Sequence, residues 1–206
     1  MAIETRYGAI VESALGLFAR RGFHRASMRE IAAGAHLSLA GLYHYVGGKD
    51  EVLFLALDRS LGTLLGSLDE AFARARTPET KLLALVQTHL DFAFRHGPAL
   101  KLINRDFEVL PEPRRSEIVA KRQAYLQRGL DVLRELDPHG RSGDELLSAT
   151  NLLLGMLNGI ATRPFLRSVE DARTLAAEVG ALFLYGFLER STDRTTEPDA
   201  LAGRRP

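Results

Sequence analysis

Residues 27–49, SMREIAAGAHLSLAGLYHYVGGK, constrain the fold of this chain more than any other stretch. Ser27 with Glu30 three residues on forms a capping box: the hydroxyl accepts a free amide of the first turn, and the carboxylate reaches back to the cap's own N–H. Ile31 and Ala32 face inward, Gly34 closes this helix, and Ala35-His36-Leu37 makes a turn. Ser38 caps a second short helix that ends near Tyr45, and Gly47-Gly48 breaks the chain before Lys49. Two short helices joined by a tight turn are the layout of a helix-turn-helix, the unit that lays its second helix into the major groove of DNA. The same pattern also occurs as plain core structure.

Almost all of the remaining chain reads helical, with apolar residues three and four apart and no clear run of period two. Upstream, Tyr7, Ile10, Val11, Ala14, Leu15 and Phe18 make one stripe, which Gly22 ends. Downstream, Lys49 or Asp50 starts a long helix to about Arg76, weakened slightly by Gly62 and Gly66. Thr77-Pro78 starts the next, with proline at the first helical position, and His96-Gly97-Pro98 breaks it. A short helix with Leu100, Ile103 and Phe107 follows, then the Pro111-Glu112-Pro113 break and a long helix over 114–136. Capping boxes at Ser142–Glu145 and Ser168–Asp171 open two last helices, over 143–163 and 169–189. The expected fold is all-α, with about nine helices. A three-helix helix-turn-helix domain occupies 1–48, and a helical bundle with a ligand pocket and a dimer interface occupies 49–190. The apolar-poor tail over 191–206 is expected to be disordered.

The net charge is only +1, but it is unevenly placed. From Ser13 to Lys49, Arg20, Arg21, Arg25, Arg29 and Lys49 stand against Glu30 alone. A basic first quarter on a slightly acidic body suits a surface that meets phosphates, although a solvated basic face would look the same. The 206 residues suffice for a core without cross-links, and with no cysteine neither a disulfide nor a thiolate metal site can form. The first residues lack the basic start and unbroken apolar run of a secretory leader, so none is expected; with no apolar run of ~18 residues either, the cytoplasm is the expected location and no membrane partner is expected. No glycine-rich phosphate loop, GxSxG or HExxH occurs. His89 and His96 are seven apart, but Gly97-Pro98 ends their helix. Hence no catalytic residue, metal or cofactor is expected, and the chain reads as a DNA-binding protein rather than an enzyme.

A recognition helix needs small or polar residues where it enters the groove and apolar ones behind. Ser38-Leu39-Ala40-Gly41 is small enough to approach bases, while Leu42 points back toward Ile31 and Phe18. Tyr43, His44 and Tyr45 can reach phosphates or sugars, and Lys49 at a helix start favours a phosphate. Ser27 can offer its hydroxyl to the backbone, and Arg29 is the candidate for a bidentate guanine contact. Leu39 could touch a thymine methyl. Equally, Tyr43 could be packing and Arg29 an exposed charge.

The pieces IVESALGLFARRGFHRASMREIA and LSLAGLYHYVGGKDEVL strongly resemble the DNA-binding domain of the tetracycline-repressor (TetR) family of bacterial regulators. The resemblance implies that Ser27, Met28 and Arg29 lie where the second helix meets DNA. It implies that Leu39, Ala40, Gly41, Tyr43, His44 and Tyr45 lie on the recognition helix, and that Lys49 is a phosphate-binding lysine. Val46 stands where phenylalanine is commoner, and Gly48 where serine or asparagine commonly caps the next helix.

The body is expected to pair two such heads on palindromic double-stranded operator DNA as a homodimer. Leu146, Leu153 and Leu157 of the penultimate helix, with Leu175, Val179, Leu182, Phe183 and Phe187 of the last, are the expected interface. Gly155, Gly159, Gly180 and Gly186 would permit close approach. An all-internal core is the alternative. The middle helices are expected to surround a small-molecule pocket built from His89, Phe92, Phe94, Ile103, Asn104, Phe107, Tyr125, Met156 and Asn158, although each taken alone is as readily a core residue. The segments DFEVLPEPRRSEIVAKRQAYLQRGLDVL and LLGMLNGIATRPF bear a looser resemblance to family members that answer to acyl-CoA thioesters. That resemblance would let Arg105, Arg114, Arg115, Arg122 or Arg128 meet CoA phosphates. The expected role is a repressor released by a hydrophobic or acyl-CoA effector that shifts the Lys49–Arg76 helix. The rival is a constitutive DNA-binding or scaffold protein without an effector.

Overall fold

Helix is the conformation of nearly every residue in the computed structural model, which describes residues 2–161 and 169–188. Nine α-helices and one 3-10 turn are found among them. Helix α1 (Ala2–Arg21) buries Ile10, Val11, Ala14, Leu15 and Phe18 of the expected stripe, half-buries Tyr7 and buries Leu17 besides. Gly22 ends it in the left-handed region, φ 80°, and its amide donates to the Phe18 carbonyl at 2.8 Å. Helix α2 (Met28–Gly34) starts with the Ser27–Glu30 box, both halves of which are made. Helix α3 (Leu39–Tyr43) is capped by Ser38, whose hydroxyl accepts from the Gly41 amide at 2.9 Å. It stops at Tyr43, two residues short of the expected Tyr45.

Helix α4 (Lys49–Arg74) is continuous through Gly62 and Gly66, and eight buried residues from Val52 to Leu68 hold it against its neighbours. It ends before the expected Arg76 because Ala75 turns to extended backbone, leading into the Thr77 cap and Pro78 of α5 (Pro78–Arg95). Helix α6 (Gly97–Arg105) also ends sooner than expected, and Phe107 lies in the 3-10 turn Phe107–Val109. Helix α7 (Arg114–Leu136) has the expected limits. The Ser142–Glu145 box opens α8 (Gly143–Ala161), and α9 (Val169–Leu188) completes the described chain. The expected Ser168 cap, residues 162–163 of α8 and the tail over 191–206 lie outside the described residues.

Helix α4 packs on α1, α5, α6 and α7, and Arg114 at the start of α7 pairs with Glu51 in its first turn. Helix α5 runs through the middle of the bundle, covered by α4, α7, α8 and α9. Phe18, Ile31, Leu42 and Leu53 are fully buried and join the first three helices to α4. Each such side chain contributes about 1.5–3 kcal/mol on leaving water. No described helix is long and apolar enough to cross a membrane.

Candidate nucleic-acid interface and cavity

The close seating of α1 on α2 fixes the pose of α3. Ser13 donates to the Ile31 carbonyl at 2.9 Å, and a Cβ on Gly34 would come within 2.3 Å of the Ser13 hydroxyl. The turn to α3 then passes through His36 at φ 55°, a left-handed conformation that histidine tolerates better than most residues. Leu42 and Val46 anchor α3 from behind, each nearly inaccessible, so the valine fills the place where a phenylalanine was expected without leaving the core.

On the opposite side Arg29, Ser38, Ala40, Tyr43 and His44 are exposed, Tyr43 by 51%. Leu39 and Gly41 are half-buried at the edge of this face. Ser27 is exposed too, but its hydroxyl is engaged with Glu30, donating to the carboxylate at 2.8 Å and accepting from the Glu30 amide. Those Ser27 bonds, with Arg21 close by, hold the Glu30 carboxyl below its ordinary range. Met28 packs partly into the core. Tyr45 turns toward α1: its ring meets the edge of Tyr7 at 5.7 Å, and the Tyr7 hydroxyl donates to its carbonyl at 3.2 Å.

Lys49 has a second task that its sequence position did not reveal. Its ammonium donates to the carbonyls of His24 (3.3 Å) and Ala26 (3.1 Å) and lies 4.5 Å from the centre of the Phe23 ring. It thus locks the α1–α2 turn as well as bringing charge to the start of α4. Gly48 supplies no side-chain cap there, and Glu51 reaches back to the Gly47 amide at 2.8 Å instead.

A cavity of about 440 Å³ lies behind this unit, within the usual range for small-molecule sites. Leu61 and Leu64 of α4, Leu100 and Ile103 of α6, Leu126 of α7 and Leu154 of α8 give it apolar walls. His89, Ile103, Asn104, Phe107, Tyr125 and Asn158, singled out from sequence, line it. Phe92, Phe94 and Met156 do not. Phe92 is buried beside His96, with ring centres 5.0 Å apart, Phe94 is half-buried on another face of α5, and Met156 is turned outward. Arg122, Gln123 and Asn151 also line the cavity. Asn151 lies seven residues before Asn158, a helical spacing that could have signalled it.

Within the cavity, Nδ1 of His89 is 3.0 Å from the Tyr125 hydroxyl, and both side chains are buried. Burial pushes the imidazole down to about 4, offset slightly by the adjacent Asn158 amide. Burial likewise raises the Tyr125 phenol well above its ordinary value. The Oδ1 of Asn158 accepts from Asn104 at 2.7 Å, and His89 Nε2 is buried with no hydrogen-bond partner.

Of the arginines considered for phosphates, only Arg122 lines the cavity, stacked 4.3 Å over Phe107 and donating to the Ile103 carbonyl. Arg105 pairs with Asp106, Arg114 with Glu51, Arg115 with Glu112 and Arg128 with Asp69. A smaller recess of about 160 Å³ shares Leu100 and Asn104 with the cavity and carries the cations Lys101 and Arg105. Among the described residues no group of three metal-ligating side chains occurs.

The expected dimer residues divide. Leu146, Leu153, Leu157, Val179 and Phe187 are buried within the subunit, and Leu175 and Phe183 are partly covered. Gly180 faces Leu83 of α5, and Gly155 lines the cavity. The apolar side chains left outside on α8 and α9 are Leu147, Leu152, Met156, Leu182 and Tyr185, of which Leu152 and Leu182 are each 72% exposed. Helical spacing picked out the apolar residues of both helices, but could not tell which side met the subunit's own α5 and α7.

Residues 10–56 match the family model described as bacterial regulatory proteins of the tetR family, and residues 75–162 match that of the tetracyclin repressor-like C-terminal domain. The HTH-type transcriptional repressor KstR2 of Mycobacterium tuberculosis H37Rv is 30% identical over 142 residues, covering 65% of this chain and 67% of that protein. A TetR-family regulator from Bordetella parapertussis 12822 superimposes with a TM-score of 0.81 at 26% identity, over 86% of this chain and 93% of its own. AibR, solved in complex with isovaleryl coenzyme A and operator DNA, shares the fold at 24% identity and a TM-score of 0.75, over 87% of this chain and 98% of its own.

Proposed function

The chain belongs to the TetR family of bacterial transcriptional regulators, and on that footing we propose that it is a repressor. It binds palindromic operator DNA as a homodimer and is released when a hydrophobic or acyl-CoA effector fills the cavity. The observation that carries this reading is that the elements holding the head also wall the cavity. Helix α4 begins at Lys49, which locks the α1–α2 turn, and contributes Leu61 and Leu64 to the cavity. Helix α6 contributes Ile103 and Asn104, while its next residue, Arg105, donates to the Phe18 carbonyl of α1 at 3.3 Å. A ligand that wedges α4 from α6 therefore moves the head. Near-complete switching needs about 5 kcal/mol of preference for the released geometry.

Residues 1–48 then form the reading head and 49–190 the effector and pairing domain. Arg29 and the Ser38, Ala40, Tyr43 and His44 face meet DNA, with Lys49 near a phosphate. The outward Leu147, Leu152, Met156, Leu182 and Tyr185 form the contact between subunits. The basic recess at Lys101 and Arg105, adjoining the apolar cavity, supports a ligand with an apolar chain and a phosphorylated end. AibR's complex with isovaleryl coenzyme A makes CoA esters the first ligands to try. The test is selection of binding sites from random duplexes, followed by gel shift with a series of acyl-CoAs and free acids. A selected palindrome, released by at least one compound, is expected. Binding that no compound reverses would favour a constitutive DNA-binding protein, and absence of any preferred duplex would overturn the reading.

A further inference from the structure

We propose that the effector carries an uncharged carbonyl, and that the Nε2–H of His89 is the group that holds it inside the cavity. This deepens the effector reading above and rests on it. The Tyr125 hydroxyl and His89 Nδ1 form one hydrogen bond at 3.0 Å, in a buried place where neither has another partner. Two arrangements of its proton are available. If Nδ1–H donated, the phenol hydrogen would be left without an acceptor and Nε2 without a donor, two unpaired groups. If the phenol donates, Nδ1 accepts, the ring's proton sits on Nε2, and that N–H alone is unpaired. Leaving a buried donor unmade is expensive, so the second arrangement holds.

That unpaired N–H belongs to a residue lining the cavity. It is the one buried side-chain nitrogen or oxygen without a partner among the described residues. The Asn158 oxygen beside it accepts from Asn104 at 2.7 Å and offsets the effect of burial on the imidazole, but makes no hydrogen bond to Nε2. Leu61, Leu64 and Leu100 line the same cavity and Tyr125 bonds to His89, none of them charged. The lining's one cation, Arg122, is stacked on Phe107 and spends a proton on the Ile103 carbonyl. A neutral acceptor on an apolar chain, the carbonyl of a ketone, ester or thioester, satisfies the imidazole without bringing an unpaired charge among leucines. Because the ring remains neutral through the physiological range, it discriminates against a carboxylate rather than recruiting one.

Two measurements test this on the full-length protein. The first needs no ligand: nitrogen-15 spectra of histidine-labelled protein at pH 7 should show His89 as the Nε2–H tautomer. The Nδ1–H tautomer would overturn the proposal. The second compares octanoyl-CoA with S-octyl-CoA, which lacks only the carbonyl oxygen, and with octanoate, by titration calorimetry. The thioester should bind about tenfold tighter than the thioether in the wild type, and octanoate weakest. The ratio should fall toward one in His89→Phe and be largely kept in His89→Gln, which retains a donor. Equal binding of thioester and thioether, or an unchanged ratio in His89→Phe, would overturn the proposal even if both compounds release DNA. The pair 2-decanone and decane repeats the comparison without the CoA moiety. Should the ketone alone discriminate, the carbonyl contact stands and the CoA part of the effector reading falls. Should neither pair bind, the effector reading itself falls, and this proposal with it.

Discussion

Gly34 shows how one missing methyl positions a helix. A Cβ there would meet the Ser13 hydroxyl at 2.3 Å and the Ser13 Cβ at 3.2 Å. Gly34→Ala should therefore forfeit the Ser13–Ile31 hydrogen bond and destabilise the protein by about 1–2 kcal/mol, despite alanine's better helix propensity. In a Ser13→Ala background the same change should be about half as damaging, which a double-mutant cycle by urea denaturation measures. His89 gives a pH-dependent expectation. The unfolded chain takes up its proton near 6.5, the folded one only near 4. Protons therefore favour unfolding in between: the contribution is intact above 6.5 and lost progressively as pH falls toward 4. By pH 4.5 the loss amounts to about 2 kcal/mol relative to neutrality. Comparing His89→Phe with the wild type at pH 7 and 4.5, at fixed protein concentration, isolates it: their stability gap should narrow in acid by that amount.

At the scale of elements, the helices were legible because each carries its own punctuation. Serine or threonine caps at 27, 38, 77 and 142 start four of them, and Gly22 ends α1 in a left-handed backbone region that few other residues enter. The cavity was legible only in part. His89, Tyr125 and Asn158 face it, but Phe92 and Phe94 sit on the same helix as His89 and point elsewhere. Aromatic bulk announces burial without saying what against. Pairings far apart in sequence left no local trace at all, such as Lys49 with the His24 and Ala26 carbonyls or Arg128 with Asp69. One such pairing joins α6 to α1. Arg105→Ala removes the bond to Phe18 and leaves the buried Asp106 carboxylate without its counter-charge. The loss should be about 1–3 kcal/mol of stability. If α6 carries the effector's message, the variant should still retard operator DNA in gels while needing more effector to release it.

For the whole molecule, what is left outside matters as much as the core. Leu152, Leu182 and Tyr185 are among the most exposed large apolar side chains described, all on α8 and α9. Leu182→Glu combined with Leu152→Glu should give a monomer by sedimentation, with little loss of fold. Operator affinity should drop by well over tenfold, since one head reads only a half-site. Substituting the inward Leu153, fully buried, should instead lower the melting temperature, in keeping with a loss of 2–5 kcal/mol for its change to alanine.

Helix α8 presents Asn151, Leu154, Gly155 and Asn158 to the cavity and Leu152 and Met156 to the outside. A rod so shared cannot adjust one flank and leave the other untouched. If subunits meet along it, occupancy and pairing obey one reciprocal constant: whatever factor an occupant changes the dimer's dissociation by, dilution to single subunits changes the occupant's affinity by the same factor. Sedimentation across a concentration series, with and without a bound compound, would measure that constant from both ends.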